Sequence, residues 1–209
     1  MSEPVGRFDT RPPIKPARLS EWWVSPLVAL WLLCVACGIA SFDRYTLLPG
    51  SPAFASEQRP QAIGPSHTSG CDELLMVVHP NCPCSRASMS ELAALAASCE
   101  KPLSIRILFV EPPGLVEDVE TTELWHSAQH IPGAALIRDT NGALSHALGA
   151  TTSGQVYLYD RGGTLRFSGG ITDSRGHAGN NLGRSAIEAI LHDQSPGTIC
   201  TPVFGCALW

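Results

Sequence analysis

The longest apolar block of the chain covers residues 22–42 and holds no Asp, Glu, Lys or Arg. At 1.5 Å per helical residue it reaches across a hydrocarbon core of roughly 30 Å, so the pattern predicts a transmembrane helix over 22–42. Arg7, Arg11, Lys15 and Arg18 precede it, whereas residues 43–62 hold only Arg44 and Arg59. The positive-inside rule then puts residues 1–21 in the cytoplasm as a short tail and the long C-terminal part outside. A cleaved signal peptide is the competing reading, because Ala53-Phe54-Ala55 resembles a small-residue cleavage site. That site lies about a dozen residues beyond the apolar block, where a signal peptide is cut close behind it.

Residues 43–69 are rich in Pro, Gly and Ser with little periodicity, the pattern of a flexible linker, and the folded part is expected over 70–209. There Leu74-Leu75-Met76-Val77-Val78 is a continuous apolar run ended by Pro80, consistent with a strand buried on both faces. Over 83–99 the apolar positions Met89, Leu92, Ala96 and Cys99 recur at helical spacing. Residues 103–110 read as a second buried strand closed by Glu111-Pro112-Pro113-Gly114, and 116–129 as a helix. A short strand at 134–138 and a short helix at 142–148 follow. Strands at 155–160 and 164–168 are joined by Arg161-Gly162-Gly163, a hairpin connection. The last helix covers about 181–192, with Ile187, Ile190 and Leu191 turned inward. This order predicts an open α/β sheet with flanking helices, an antiparallel hairpin at one side and a right-handed parallel crossover between the first strands.

Charge and cysteine content narrow the function classes. A net charge of −5 without a Lys/Arg cluster lacks the electrostatic footprint of nucleic-acid binding. Of eight cysteines, Cys34 and Cys37 lie in the apolar block, where packing accounts for them. The other six suit an oxidising compartment. Cys71, at the start of the first strand, and Cys99, at the end of the next helix, fall at one edge of the sheet and are one candidate disulfide. Cys200 with Cys206 is another. The about fourteen residues after His192 also give Cys206 the reach to return to the opposite edge.

The candidate chemistry lies at His79-Pro80-Asn81-Cys82-Pro83-Cys84-Ser85, where the first strand ends and a helix begins. Open α/β sheets place their sites there. With Pro83 at the first helical position, Cys82 is the N-cap, and unpaired N–H groups with the helix dipole stabilise its thiolate. Cys82 is then the attacking thiol and Cys84 the resolving one. Metal capture is the alternative from another class: Cys82 and Cys84 with His79 or Cys206 are soft ligands suited to Cu(I) in a chaperone or assembly factor. The ligand spacing of a closed zinc site and the Cys-x-x-Cys-His of haem attachment are both absent. A redox-sensing or interaction module is a third reading, and plain packing of the two cysteines a fourth.

On these residues the chain resembles the thioredoxin superfamily over 71 to about 192, and within it the membrane-anchored thioredoxin-like proteins of bacteria. The resemblance is carried by Cys82-Pro83-Cys84-Ser85-Arg86 after Val77-Val78, by Asp139-Thr140-Asn141-Gly142-Ala143-Leu144 and by 156–165. The stretches 79–88, 170–177 and 201–206 are similar to a group labelled RedB. What this implies is a thioredoxin-like fold in a single-pass protein of the inner membrane, anchored in the bilayer through 22–42, with its domain periplasmic or otherwise extracytoplasmic. It implies thiol–disulfide exchange on protein substrates and no organic cofactor. It also implies that the loop 169–179 flanks the reactive turn, making Asp173, Arg175 and His177 candidates for proton transfer or for holding the thiolate. Two departures stand out. The family's second cysteine is replaced by Ser85, with Cys84 one position earlier, and its cis-proline is replaced by Gly154, which raises the metal reading. His79 stands where the peroxidase variant expects Thr, which disfavours peroxide reduction.

Overall fold

The computed structural model describes residues 21–51, 54–66 and 70–209; the basic flank within 1–20 and the small residue at position 53 lie outside the described residues. The chain divides into two units, 1–42 and 43–209. Helix α1 (Val24–Leu47) opens in the first, and at 24 residues it is roughly 36 Å long. It is long and apolar enough to cross a membrane. It runs past the expected end at Phe42 because nothing before Pro49-Gly50 breaks a helix.

The second unit contains β1 (Asp72–Val78), α2 (Ser85–Ser98), β2 (Leu103–Glu111), α3 (Glu123–Ala128), β3 (Ala134–Thr140), α4 (Ala143–Leu148), β4 (Gln155–Tyr159), β5 (Leu165–Gly169) and α5 (Leu182–Leu191). The sheet order is β3-β2-β1-β4-β5. β1, β2 and β3 run parallel, while β4 is antiparallel to both β1 and β5. This is a thioredoxin-like fold, a mixed sheet with flanking helices. The period-2 alternation of the strands divides the core. Leu74, Met76, Val78, Ile105, Ile107 and Phe109 pack under α2, α3 and α5, and Leu75, Val77, Leu108, Val110, Tyr157 and Tyr159 pack with Leu148 of α4, Ile63 and Leu208 on the other face.

Three expectations are corrected. The helix expected over 116–129 is a single turn at 119–121 followed by the short α3. Asp118 accepts from Glu120 N and Thr122 from Trp125 N, so two successive caps restart the chain instead of letting one helix continue. The expected linker over 43–69 is not a free tether: 43–47 continue α1, Gly50 N donates to the Val203 carbonyl at 2.7 Å, and 54–66 is tied to the domain. Glu57 and Gly163 carbonyls accept from Leu165 and Arg59 N–H at 2.9 and 2.8 Å, and Ile63 is buried. The tie is ionic beneath: Glu73, buried in β1, pairs with Arg106 of β2 at 2.6 Å and with Arg59, and Arg106 donates to the Ile63 carbonyl at 2.8 Å. Finally, Cys99 is a free thiol that donates to the Lys101 carbonyl at 3.2 Å, so the bridge from Cys71 to Cys99 is not formed.

Candidate active site

The segment after β1 leaves the sheet through two consecutive tight turns. Cys82 N donates to His79 O at 3.1 Å, then Ser85 N to Cys82 O at 3.2 Å, Arg86 N to Pro83 O at 3.4 Å and Ala87 N to Cys84 O at 3.2 Å. The second turn merges into α2, whose N-cap is Cys84 with φ −67° and ψ −29°. The expected register, with Cys82 as N-cap and Cys84 inside the helix, is therefore shifted by two positions. Pro83, exposed between the two cysteines, serves the turn and not the first position of the regular helix. The tight bonds after Cys82 span three residues, so regular α-helical bonding starts later than the proline suggested.

Cys82 and Cys84 are both buried, at 3% and 8% exposure. Cys206 joins them: the three Sγ atoms lie within 4.8 Å of one another. The C-terminal segment reaches this place along the hairpin edge. Cys200 bridges Ser168 of β5 in parallel, Thr152 bridges Ala207, and Ser153 N donates to Cys206 O at 2.8 Å. Gly205 permits the approach, since a Cβ there would overlap the Ser153 carbonyl. Cys200 stays exposed and free, so the alternative pairing of Cys200 with Cys206 is not formed.

A chain of hydroxyls supports Cys82. His79 N donates to Ser153 Oγ at 2.7 Å, and Ser153 Oγ lies 2.7 Å from the buried Ser85 Oγ. Burial pushes the Cys82 thiol up, but hydrogen bonds from Ser85, from the backbone N–H and thiol of Cys206, and from Ser153 outweigh it and hold the pKa at about 7. Burial and the neighbouring Cys82 charge push Cys84 up against the pull of Arg175. Cys206 is pushed up to about 12 by burial, by its hydrogen bond to Cys82 and by the charges of Cys82 and Cys84. One thiolate is thus favoured and two thiols beside it stay protonated.

Of the other expected residues, Arg175 reaches the site. It hydrogen-bonds Cys84 and donates to the Gly205 carbonyl. Its N–H bonds Thr46 O at 3.0 Å, and its guanidinium lies over Tyr45, 4.9 Å from the ring centroid. His79 is half-buried, and burial lowers its pKa. Its Nδ1 accepts from Asn81 N at 3.2 Å, so it braces the turn and is not part of the thiol cluster. Asp173 and His177 are exposed on their loop. Gly154 has φ +91°, and a Cβ there would come 2.9 Å from Ser88 Oγ. Its N–H donates to Val77 O at 2.8 Å, a bond that a proline could not make.

Ser85 and Ser153 are the functional residues that sequence reasoning missed. Ser85 registered only as a missing cysteine, and Ser153 stands 68 positions away. A serine at each of the two positions, in the reactive turn and in the loop before the hairpin, was the available signal. Beside Cys82 opens a cavity of about 300 Å³, lined by Pro80, Asn81, Arg86, Thr121 and Glu123 among others.

No family model matches the chain, and no curated protein is similar to it in sequence. Solved structures do resemble it. An uncharacterized conserved protein from Geobacillus kaustophilus is 19% identical with a TM-score of 0.58, over 78% of this chain and 93% of that one. A hypothetical protein from Sinorhizobium meliloti 1021 is 22% identical with a TM-score of 0.57, over 78% of this chain and 94% of that one. A secreted Mycobacterium tuberculosis disulfide oxidoreductase homologous to E. coli DsbE is 18% identical with a TM-score of 0.39, over 46% of this chain and 67% of that one. The first two likenesses are likenesses of fold.

Proposed function

We propose that this chain is a thiol–disulfide oxidoreductase of the extracytoplasmic face of the membrane, anchored by α1, with Cys82 as the attacking thiolate. One observation carries the reading: a buried cysteine at the end of a strand receives hydrogen bonds from Ser85, Ser153 and both the N–H and the thiol of Cys206, which hold it near 7 against burial. A thiolate near ambient pH is the efficient nucleophile for exchange, because a lower pKa would weaken its attack. Cys82 attacks one sulfur of a substrate disulfide, a mixed disulfide forms, and the other substrate sulfur leaves as a thiolate. A neighbouring thiol then displaces the substrate, which departs reduced by two electrons. Cys84 is the partner that the sequence motif suggests. Arg175 positions it, and the cavity beside Cys82 offers room for the polypeptide around a substrate cysteine. The reaction needs no organic cofactor. Cys82→Ser is expected to abolish reduction of a disulfide-bonded peptide by the reduced full-length protein in detergent. Full turnover by that variant would end this reading.

A second reading is supported by the clustering itself. Three Sγ atoms within 4.8 Å suit a three-thiolate Cu(I) site of Cys82, Cys84 and Cys206, with His79 outside it. Under that reading Cys82→Ser and Cys84→Ser lower Cu(I) affinity by similar factors and leave disulfide exchange unchanged.

A further inference from the structure

Three thiols converge where exchange needs two, which raises the question of which one resolves the mixed disulfide. We propose that Cys206, and not Cys84, is the resolving cysteine, so that the redox-active disulfide joins the end of β1 to the C-terminal segment. The inference rests on the exchange reading above and deepens it.

Cys82 and Cys84 belong to one tight turn with Pro83 fixed between them, and Cys84 itself has helical dihedrals. Their Sγ atoms lie within 4.8 Å of each other, as both do of Cys206, so proximity alone does not choose the partner. A disulfide needs its Cβ atoms about 3.5–4.5 Å apart. Bridging Cys82 to Cys84 across the single residue Pro83 strains the turn closed by the bonds from Ser85 N, Arg86 N and Ala87 N that open α2.

Cys206 carries no such constraint. Its segment is remote in sequence and is held by main-chain contacts: Ser153 N to Cys206 O, the bridge from Ala207 to Thr152, Leu208 N to Thr151 O at 3.1 Å, and Arg175 to the Gly205 carbonyl. None of these uses the Cys206 side chain, which already hydrogen-bonds Cys82. Closing this disulfide brings together two Sγ atoms that already lie within 4.8 Å of each other, and none of the main-chain contacts that hold the segment uses the side chain that moves.

The steps balance. Cys82 thiolate attacks a substrate disulfide, the Cys82–substrate bond forms and the first substrate thiolate leaves. Cys206 sulfur then attacks Cys82 Sγ, the mixed disulfide breaks, and the Cys206 proton passes to the departing second substrate sulfur. Two electrons move from the Cys82/Cys206 dithiol to the substrate, and the same steps in reverse oxidise a substrate dithiol. Cys84 remains a thiol throughout, hydrogen-bonded by Arg175.

The test uses the full-length protein in detergent, reduced and then exposed to a fluorophore-labelled peptide disulfide. Peptide mapping under non-reducing conditions is expected to find Cys82 linked to Cys206. C206S should retain the labelled peptide on Cys82 and lose about 100-fold in turnover, whereas C84S should release the labelled peptide without accumulating it. Retention of the label on Cys82 of C206S shows that its thiolate still attacks, and a thermal unfolding midpoint close to that of the parent shows that the variant is folded. A Cys82–Cys84 linkage in the parent, or trapping in C84S with normal turnover in C206S, overturns the assignment while leaving the exchange reading intact. Normal turnover in C82S overturns both.

Discussion

At Cys82 two opposed effects meet, burial that favours the neutral thiol and four hydrogen bonds that favour the thiolate, and the second wins. The His79 N–H donates to Ser153 Oγ, which lies 2.7 Å from Ser85 Oγ, and both hydroxyls stand beside the sulfur. The rate of alkylation at Cys82 follows from this. Because the thiolate is the reacting form, the rate should rise with pH and reach half its plateau at about 7. Ser85→Ala removes the strongest stabilising hydrogen bond and leaves burial in force, so the midpoint should move up, toward or beyond the about 8.5 of a free cysteine. Cys84→Ser should not move it upward, since Cys84 is not among the donors to Cys82. A midpoint unchanged in Ser85→Ala would assign the low value to the N–H and thiol of Cys206 and not to the hydroxyls.

Adjacent elements are locked by charge as well as by apolar packing. Glu73 in β1 and Arg106 in β2 are each about 2% exposed, and Arg59, from the segment before β1, completes the cluster on Glu73. Glu73→Gln strands a guanidinium in the core and should lower stability by about 3–5 kcal/mol. Arg59→Ala should have a smaller effect, because that side chain is 18% exposed and water screens it. Thermal unfolding of the two variants in detergent checks the order, and equal losses would mean that the cluster acts as one unit through its tie to 54–66. A Glu and an Arg inside two neighbouring apolar strands were the visible sign of this pair, but the strands were read by their apolar content alone. The strands at 74–78 and 103–110 were legible as continuous apolar runs, the hairpin by its Gly-containing connection, and the last helix by the inward spacing of Ile187, Ile190 and Leu191. The reactive turn was legible because its residue types are local. What was not legible is what distant segments bring to it: Ser153 arrives through the pairing of β4 with β1, and the helix expected over 116–129 stopped at caps that outweighed its apolar spacing. Chain length allowed Cys206 to return to the site but could not choose that over pairing with Cys200.

For the molecule as a whole, the exchange reading requires a compartment, and the sequence supplies a direction. α1 is the one described helix that is long and apolar enough to cross a membrane, and the basic residues stand before it. With those residues kept on the cytoplasmic side, 43–209 and six of the eight cysteines lie outside, where a dithiol meets disulfides and not the reducing pool of the cytosol. Cys200 offers a direct readout, being exposed and free on the domain. In a chain where the other seven cysteines are replaced by serine, a maleimide that cannot cross membranes should label Cys200 in intact spheroplasts, after a brief impermeant reductant, as fully as in lysed ones. The same cells carrying Ser2→Cys in an otherwise cysteine-free chain should be labelled only after lysis. If Cys200 reacts only on lysis, the domain faces the cytosol. A Cys82 thiolate near 7 would then be kept reduced by the cytosolic thiol pool, and a three-thiolate Cu(I) site would become the better account of the same three sulfurs.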